Sequence, residues 1–557
     1  MLVYIVLFLS LLASLAFGVW IFKKLPQWNS IDRYFTAAIP TVTFIFIVFV
    51  LIRILDAPFE DWNAIRLAPT FALTHGYQLY YGADTGPILN TIYGPITALA
   101  YLPTTLAISP TGAVMMGAFI SAAFFFIPIL WLVVCEIHES QKVMSLNRSY
   151  KLLLFTYAFY AFISFFFFSF LSSLYFSAFN IHADAIALGL GAAACGFLYC
   201  RKHKDSLLSL LLSAIMIVLA IWAKQTALPL LIALPTYVLL ADGRRCFKLY
   251  LLCIVISGLT ISALLLTIFN PEYTFFNMLT IPGQHPWRVP GYLSDTQVIA
   301  LVASGKKVPG GKILPLLKAG IEMIFVCLVP AFIIFWRFRY QFLFLPTTFD
   351  RITGWLRYNR WSMLLIVAFF MIPTSLLGRV KVGGAINAFS FTLYFLAASA
   401  TLAVFRLILD SGSINTSFSK LFTPLKFLTL ALVITFFLNG IQLIGMLYPR
   451  LQKLPNNPQQ VAYNYARHHP GEAYFPWNPL SSLMAEGKLY HFEYALEDRL
   501  LAGYPVNKEN FKSYIPSNIQ LLAFSNRNDG YVKQFLPEFS RQVKVDELPG
   551  WTVYMRE

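Results

Sequence analysis

The sequence predicts a mainly α, polytopic membrane bundle of about 12 spans, carrying juxtamembrane helices and a small C-terminal α/β domain. Three observations carry that expectation. Only 12% of the 557 residues are charged, about half the share of a soluble domain. The hydrophobic share is 58%, with 52 Phe and 29 Tyr, so the solvent for most of the chain is lipid. From residue 448 onward the composition turns polar, with the run NNPQQ and charged patches between short apolar strips. These features exclude an ordinary cytosolic enzyme and a disordered or collagen-like chain. The net charge of +16 is no sign of nucleic acid, because membrane proteins collect Lys and Arg in cytoplasmic loops. The six cysteines lie in or beside apolar runs and show no metal-ligand spacing.

A crossing needs about 20 mainly apolar residues. Such runs lie at 2–22, 38–55, 112–135, 152–174, 183–200, 206–222, 226–241, 249–269, 319–336, 361–378, 384–405 and 427–447. Residues 1–4 carry no basic group, and Lys23 and Lys24 follow the first run, which reads as an anchor entering from outside. The stretch 92–109 is apolar enough to cross, but charge parity opposes it. If it stays on the surface, 20 basic residues fall on one side (in 23–37, 142–151, 201–204, 244–248, 337–360 and 406–426) and nine in the opposite loops, the tail left out. If it crosses, the basic loops on either side of it fall on opposite faces. Pro95 and Pro103 also fit a broken, non-spanning element.

This parity puts residues 56–111, a turn near 175–182, the loop 270–318 and the tail 448–557 on the non-cytoplasmic side of a plasma (inner) membrane. Residues 1–447 then form the membrane module and 448–557 a separate domain. The tail pattern predicts helix at 457–468, 479–486, 508–514 and 530–536, and strand at 472–476, 488–494, 519–524 and 542–556. No repeat period and no inverted halves are visible, which counts against a secondary transporter.

Charges at membrane depth are costly and need a reason. The densest acidic group is Asp56, Glu60 and Asp61, at the outer mouth of the second span. Next comes Asn180-Ile181-His182-Ala183-Asp184, where His182 and Asp184 could join Asp61 as ligands of Mg or Mn; the plain alternative is a capped helix start. Lys224 interrupts two apolar runs, as a snorkelling anchor or as a partner for phosphate. Arg379 and Lys381 flank a glycine-containing turn suited to an anion. In the long loop, His285 and Arg288 stand beside Trp287. Lys318 and Glu322 are spaced to close as a helical pair.

Several of these motifs resemble a known family. The acidic pair Glu60-Asp61 follows an early span. After it come His75, then Gly76-Tyr77-Gln78-Leu79-Tyr80 with Tyr81, then Tyr93-Gly94-Pro95 opening a surface helix. This is similar to the first external loop of GT-C-type membrane glycosyltransferases, nearest to the bacterial members that use polyprenyl-phosphate sugars. Trp222-Ala223-Lys224-Gln225-Thr226 fits the same resemblance. The resemblance implies an inverting transfer from a polyprenyl-phosphate-linked sugar to a glycan, lipid or protein acceptor among membrane lipids. It implies Asp61 as base with Glu60 as helper, and donor phosphate held by Lys224, Arg379 and Lys381. It makes a divalent metal an option rather than a requirement. It also implies that His75, Tyr81, Tyr93, His285 and Arg288 lie on substrate-facing loops. The competing expectations are a transporter or flippase of a lipid-linked or small polar solute, and a polyprenyl-diphosphate glycan polymerase or ligase. No nucleotide-binding, zinc-protease or serine-hydrolase motif occurs.

Overall fold

A computed structural model describes residues 2–26, 30–89, 91–143, 148–168, 172–201, 203, 206–288, 295–306, 312–339, 349–411, 445–525 and 530–557. In chain order the first helices are α1 (Leu2–Lys24), α2 (Ser30–Asp56), α3 (Asp61–Thr74), α4 (Pro95–Ala100), α5 (Pro110–Val143), α6 (Arg148–Phe168), α7 (Ser172–Phe179), α8 (Ala183–Tyr199), α9 (Leu207–Ala223), α10 (Leu230–Asp242) and α11 (Arg244–Ile268). Long helices follow at Ile313–Arg339 and Ser390–Ser411.

Among the described residues, eight helices are long and apolar enough to cross a membrane. A ninth is present if the pair α7 and α8, bent by 93°, counts as one span. The chain is therefore a multi-pass membrane protein. The expected run 152–174 is helical at 152–168 and 172–174, with 169–171 outside the described residues. The run 361–378 divides at Met371 into Ser362–Phe370 and Ile372–Val380, with Pro373 in the first turn of the second part. The run 427–447 lies largely outside the described residues. The surface stretch 92–109 forms only the six-residue α4 and a 3-10 turn at Leu102–Leu106, too short to span.

Helix α8 is packed on all sides and nearly every side chain is buried. Its small residues allow that closeness: a Cβ on Gly189 would lie 2.2 Å from the Phe124 carbonyl oxygen. At its far end Cys200 is disulfide-bonded to Cys135 of α5, with 5.6 Å between Cα atoms. Beside that bond, Glu136 accepts from Tyr199 Oη at 2.6 Å and from Arg406 at 3.0 Å, and Arg201 pairs with Asp242.

The tail folds around a four-stranded sheet of β1 (Ala473–Tyr474), β2 (Leu521–Phe524), β3 (Arg541–Val543) and β4 (Thr552–Met555) in the order β1-β2-β4-β3. Only β1 and β2 are parallel. Helices at Pro458–His468, Pro479–Glu486, Glu493–Leu501 and Lys508–Ser513 cover it. The expected strand 488–494 is absent: the chain runs without regular structure there and enters the helix Glu493–Leu501. The expected helix 530–536 is a 3-10 turn at Tyr531–Gln534.

The tail seats on the segment 56–111. Phe492 N donates to Ile88 O at 3.0 Å, and Ile88 N donates to His491 Nδ1 at 2.9 Å. Arg499 reaches the carbonyls of Ala83 and Gly82 at 3.3 and 3.0 Å. Trp62 packs edge-on against Trp477 and Tyr494. One apolar core runs from the bundle into the tail through Leu480, Phe492 and Leu522.

Candidate functional site

The break between α7 and α8 turns the chain sharply, and His182 caps α8 in an extended conformation. That geometry lays His182 against the Asp184 carboxylate, with Nδ1 2.8 Å from Oδ2. The other ring nitrogen, Nε2, stands 2.8 Å from Tyr93 Oη. Nδ1 also lies 3.2 Å from the Asp184 amide. One nitrogen cannot donate to the carboxylate and accept from the amide, and the shorter contact to a charged acceptor decides. We assign the proton to Nδ1, so Nε2 accepts from Tyr93.

Asp184 is fully buried. Its Oδ1 pairs with Lys224 Nζ. Its Oδ2 also accepts from Asn387 Nδ2 at 2.7 Å and from Ser177 Oγ at 3.3 Å. Ser177 Oγ also lies 2.7 Å from Ser390 Oγ, and its single hydroxyl proton serves one of the two contacts at a time. Lys224 lies within cation–π range of Tyr93 and Phe391. The charge is thus neutralised and every near lone pair engaged, as a buried carboxylate requires.

The backbone joins the same segments. Gly94 N donates to Ala223 O at 3.1 Å, and Thr97 Oγ1 donates to the same oxygen at 2.9 Å. A Cβ on Gly94 would stand 1.7 Å from Trp222 O, so only glycine allows this approach. Asn63 of α3 binds Ile181 N at 2.8 Å through Oδ1 and Ala57 O at 2.9 Å through Nδ2.

Beside the cluster lies a small, partly open cavity of about 30 Å³. Arg66, Tyr80, Thr91, Tyr93, Thr97 and His182 are among its lining residues.

The other expected site residues fall in different places. Asp61 opens α3, is 8% exposed, and accepts from Ser525 Oγ of the tail at 3.0 Å. Glu60, one position earlier, is exposed. Arg379 Nε donates to Glu322 at 2.8 Å and Nη1 to Gly384 O at 2.8 Å. Glu322 is therefore engaged with Arg379, in place of the helical pair with Lys318 expected from spacing. Lys381 Nζ donates to the carbonyls of Gly283 and His285 at 2.7 and 2.8 Å. Around it, residues 286–288 and 380–382 form a short ladder, with Arg288 N on Val380 O at 2.7 Å and Val382 N on Pro286 O at 2.9 Å. His75 caps the exposed end of α3, with Nδ1 2.8 Å from Phe71 O. Tyr81 Oη accepts from Gln78 N at 3.1 Å. His285 is buried, with Nε2 3.2 Å from Asp498 O.

The expected metal ligands are Asp61, His182 and Asp184. Both Asp184 oxygens are taken by protein donors, and Asp61 is held by the tail. Among the described residues no three metal-ligating side chains converge.

Sequence reading missed three participants. Arg66 counted only as one outer basic residue, although a guanidinium amid the apolar residues of α3 is the kind of exception that marks a site. Asn387 stood at the edge of the basic turn. Asp498 lies on the helix Glu493–Leu501, between the expected strand 488–494 and the expected helix 508–514; it is 3% exposed, and its Oδ2 has no hydrogen-bond partner. Burial, then Glu497, push its carboxyl well above the usual range, and Arg66 offsets part of that rise.

The chain is similar to two solved structures. One is the ArnT of Cupriavidus metallidurans in the apo state, at 12% identity and a TM-score of 0.47, covering 93% of this chain and 98% of that one. The other is the oligosaccharyltransferase of Archaeoglobus fulgidus in the apo form, at 11% identity and a TM-score of 0.33, covering 87% and 69%. Likeness at this level carries no argument about activity. No protein-family profile and no curated protein matches the chain.

Proposed function

We propose that the protein is a membrane glycosyltransferase that moves a sugar from a polyprenyl-phosphate carrier to a hydroxyl of a glycan, lipid or protein acceptor outside the cytoplasm. One observation carries this reading. The segments Tyr93-Gly94-Pro95, His182-Ala183-Asp184 and Trp222-Ala223-Lys224, far apart in sequence, meet in one buried polar cluster beside a cavity. Two of them belong to the resemblance drawn from the residues, and the third is the expected second acidic site. A transporter would instead place its charges along a path near the bilayer midplane.

In this reading the acceptor oxygen attacks the anomeric carbon as the bond to the phosphate oxygen breaks. The acceptor proton passes to Asp61, which starts α3 at the tail interface, and the configuration inverts. Glu60 stands beside it in water. The Tyr93–His182–Asp184–Lys224 cluster positions the cavity wall; a carboxylate so fully paired is a poor base. Asp61→Asn should lower transfer from a labelled polyprenyl-phosphate sugar in proteoliposomes by about 10²- to 10⁴-fold and leave donor binding intact. Near-normal turnover of that variant would remove Asp61 as the base. Absence of transfer by the wild type with every lipid-phosphate sugar offered would remove the function.

A further inference from the structure

A lipid-phosphate donor needs a cation for its departing phosphate, and the three cations expected from sequence are already occupied. Lys224 is paired with Asp184, Arg379 with Glu322, and Lys381 with two carbonyls. Arg66 differs. It lines the cavity, and its Nε and Nη1 are buried without any hydrogen-bond acceptor. A buried charged donor left unmade costs free energy, so such atoms mark a place where an acceptor belongs.

The guanidinium is oriented as well as unpaired. It lies 5.4 Å from the Trp62 ring centroid and 5.3 Å from that of Phe176. Other polar groups on the wall are spent on the protein. Tyr80 Oη donates to Tyr93 O at 2.7 Å, Thr97 to Ala223 O, and Tyr93 to His182. Of the described acids near this wall, Asp184 is paired with Lys224, and Asp498, close enough to Arg66 to feel its charge, is pushed by burial toward its neutral form. A planar cation with free edges, in a partly water-excluded pocket, suits the oxygens of a phosphate.

We propose that Arg66 is the phosphate-binding residue of this cavity, taking a phosphate monoester or diester on its Nε and Nη1 edge. The assignment rests on the glycosyltransferase reading for its role in transfer, but not for anion binding itself. The shared chemistry is a phosphate group, from a lipid head or free in solution.

The test uses the full chain in nanodiscs with two probes, inorganic phosphate and farnesyl phosphate, each titrated by thermal shift. Arg66→Gln should weaken binding by about 10- to 100-fold, and Arg66→Lys by less. Lys381→Gln should bind as the wild type does. Binding of both probes points to a phosphate site open to either source, and binding of farnesyl phosphate alone to a lipid head group. On the wild-type protein, bound probe should also shield Arg66 from phenylglyoxal, read by mass spectrometry, which needs no folded variant. Unchanged affinity in Arg66→Gln, or no shielding at saturating probe, overturns the proposal. Unchanged phosphate binding in Arg66→Gln, with sugar transfer by the wild type present, sinks Arg66 and spares the function. Arg66-dependent binding with no transfer from any lipid-phosphate sugar does the reverse.

Discussion

At the scale of single residues, the Asp184–Lys224 pair is the most consequential contact. Both groups are buried, and breaking such a pair from one side leaves a bare charge in an apolar place. Lys224→Met should destabilise the fold by about 3–5 kcal/mol, measured by urea denaturation in mild detergent. The double variant Lys224→Met/Asp184→Asn should recover much of that loss, because no unpaired charge remains. A double variant no better than the single one would show that the lysine serves mainly by packing. That His182, Asp184 and Lys224 are polar exceptions was legible in the sequence, since each interrupts an apolar run. Their pairing was not. A lysine forty positions from an aspartate reads equally well as an anchor, a phosphate ligand or a counter-ion, and only proximity chooses.

At the scale of elements, the helices of the bundle were legible because lipid demands long apolar runs with every backbone group satisfied internally. Breaks were less so. The turn between α7 and α8 leaves the apolar composition unchanged, while it bends the chain by 93°. In the tail, residues 488–494 read as strand from their aromatic content, but the helix Glu493–Leu501 prevails. Its Leu496 and Leu500 meet the core four residues apart, and Arg499 engages the segment 56–111. This helix carries Asp498, whose raised pKa has a clear consequence. A carboxyl titrating higher when folded stabilises fully below about pH 4. That contribution is lost as pH rises through the folded value. His285 faces it and is pushed down by burial, so it gives the opposite slope below about pH 6.5. Comparing Asp498→Asn with the wild type at each pH separates the two. The variant should lose the alkaline decline in protection of 493–501, followed by hydrogen exchange from pH 4 to pH 8. An unchanged decline would assign it to another group.

At the scale of the whole molecule, the open matter is sidedness. The basic ends near Arg201, Arg357 and Arg360 point to the cytoplasm. The Cys135–Cys200 bond at that same end is of a kind found chiefly in oxidising compartments. The two expectations oppose each other. We expect charge to prevail, because the loops that the sequence assigns to that face hold twenty basic residues against nine in the opposite loops, the tail left out. Single cysteines at exposed His75 and Lys512 should react with an impermeant maleimide on intact cells, and one at exposed Arg245 only after permeabilisation. The reverse pattern would invert the topology and move the cavity to the cytoplasmic side.

By itself the sequence determined the solvent of each segment, the order of the crossings and the polar exceptions among them, because the free energy of placing a residue in lipid depends on that residue and its near neighbours. What only the tertiary structure decided was which exceptions meet. Lys224 takes Asp184, Glu322 takes Arg379, and Asp61 is held by Ser525 at the tail interface, while Arg66 is left facing a cavity with its edge unpaired. Coulomb and hydrogen-bond energies fall off within a few ångströms. Partnership therefore follows from distances in space, which a linear spacing does not contain.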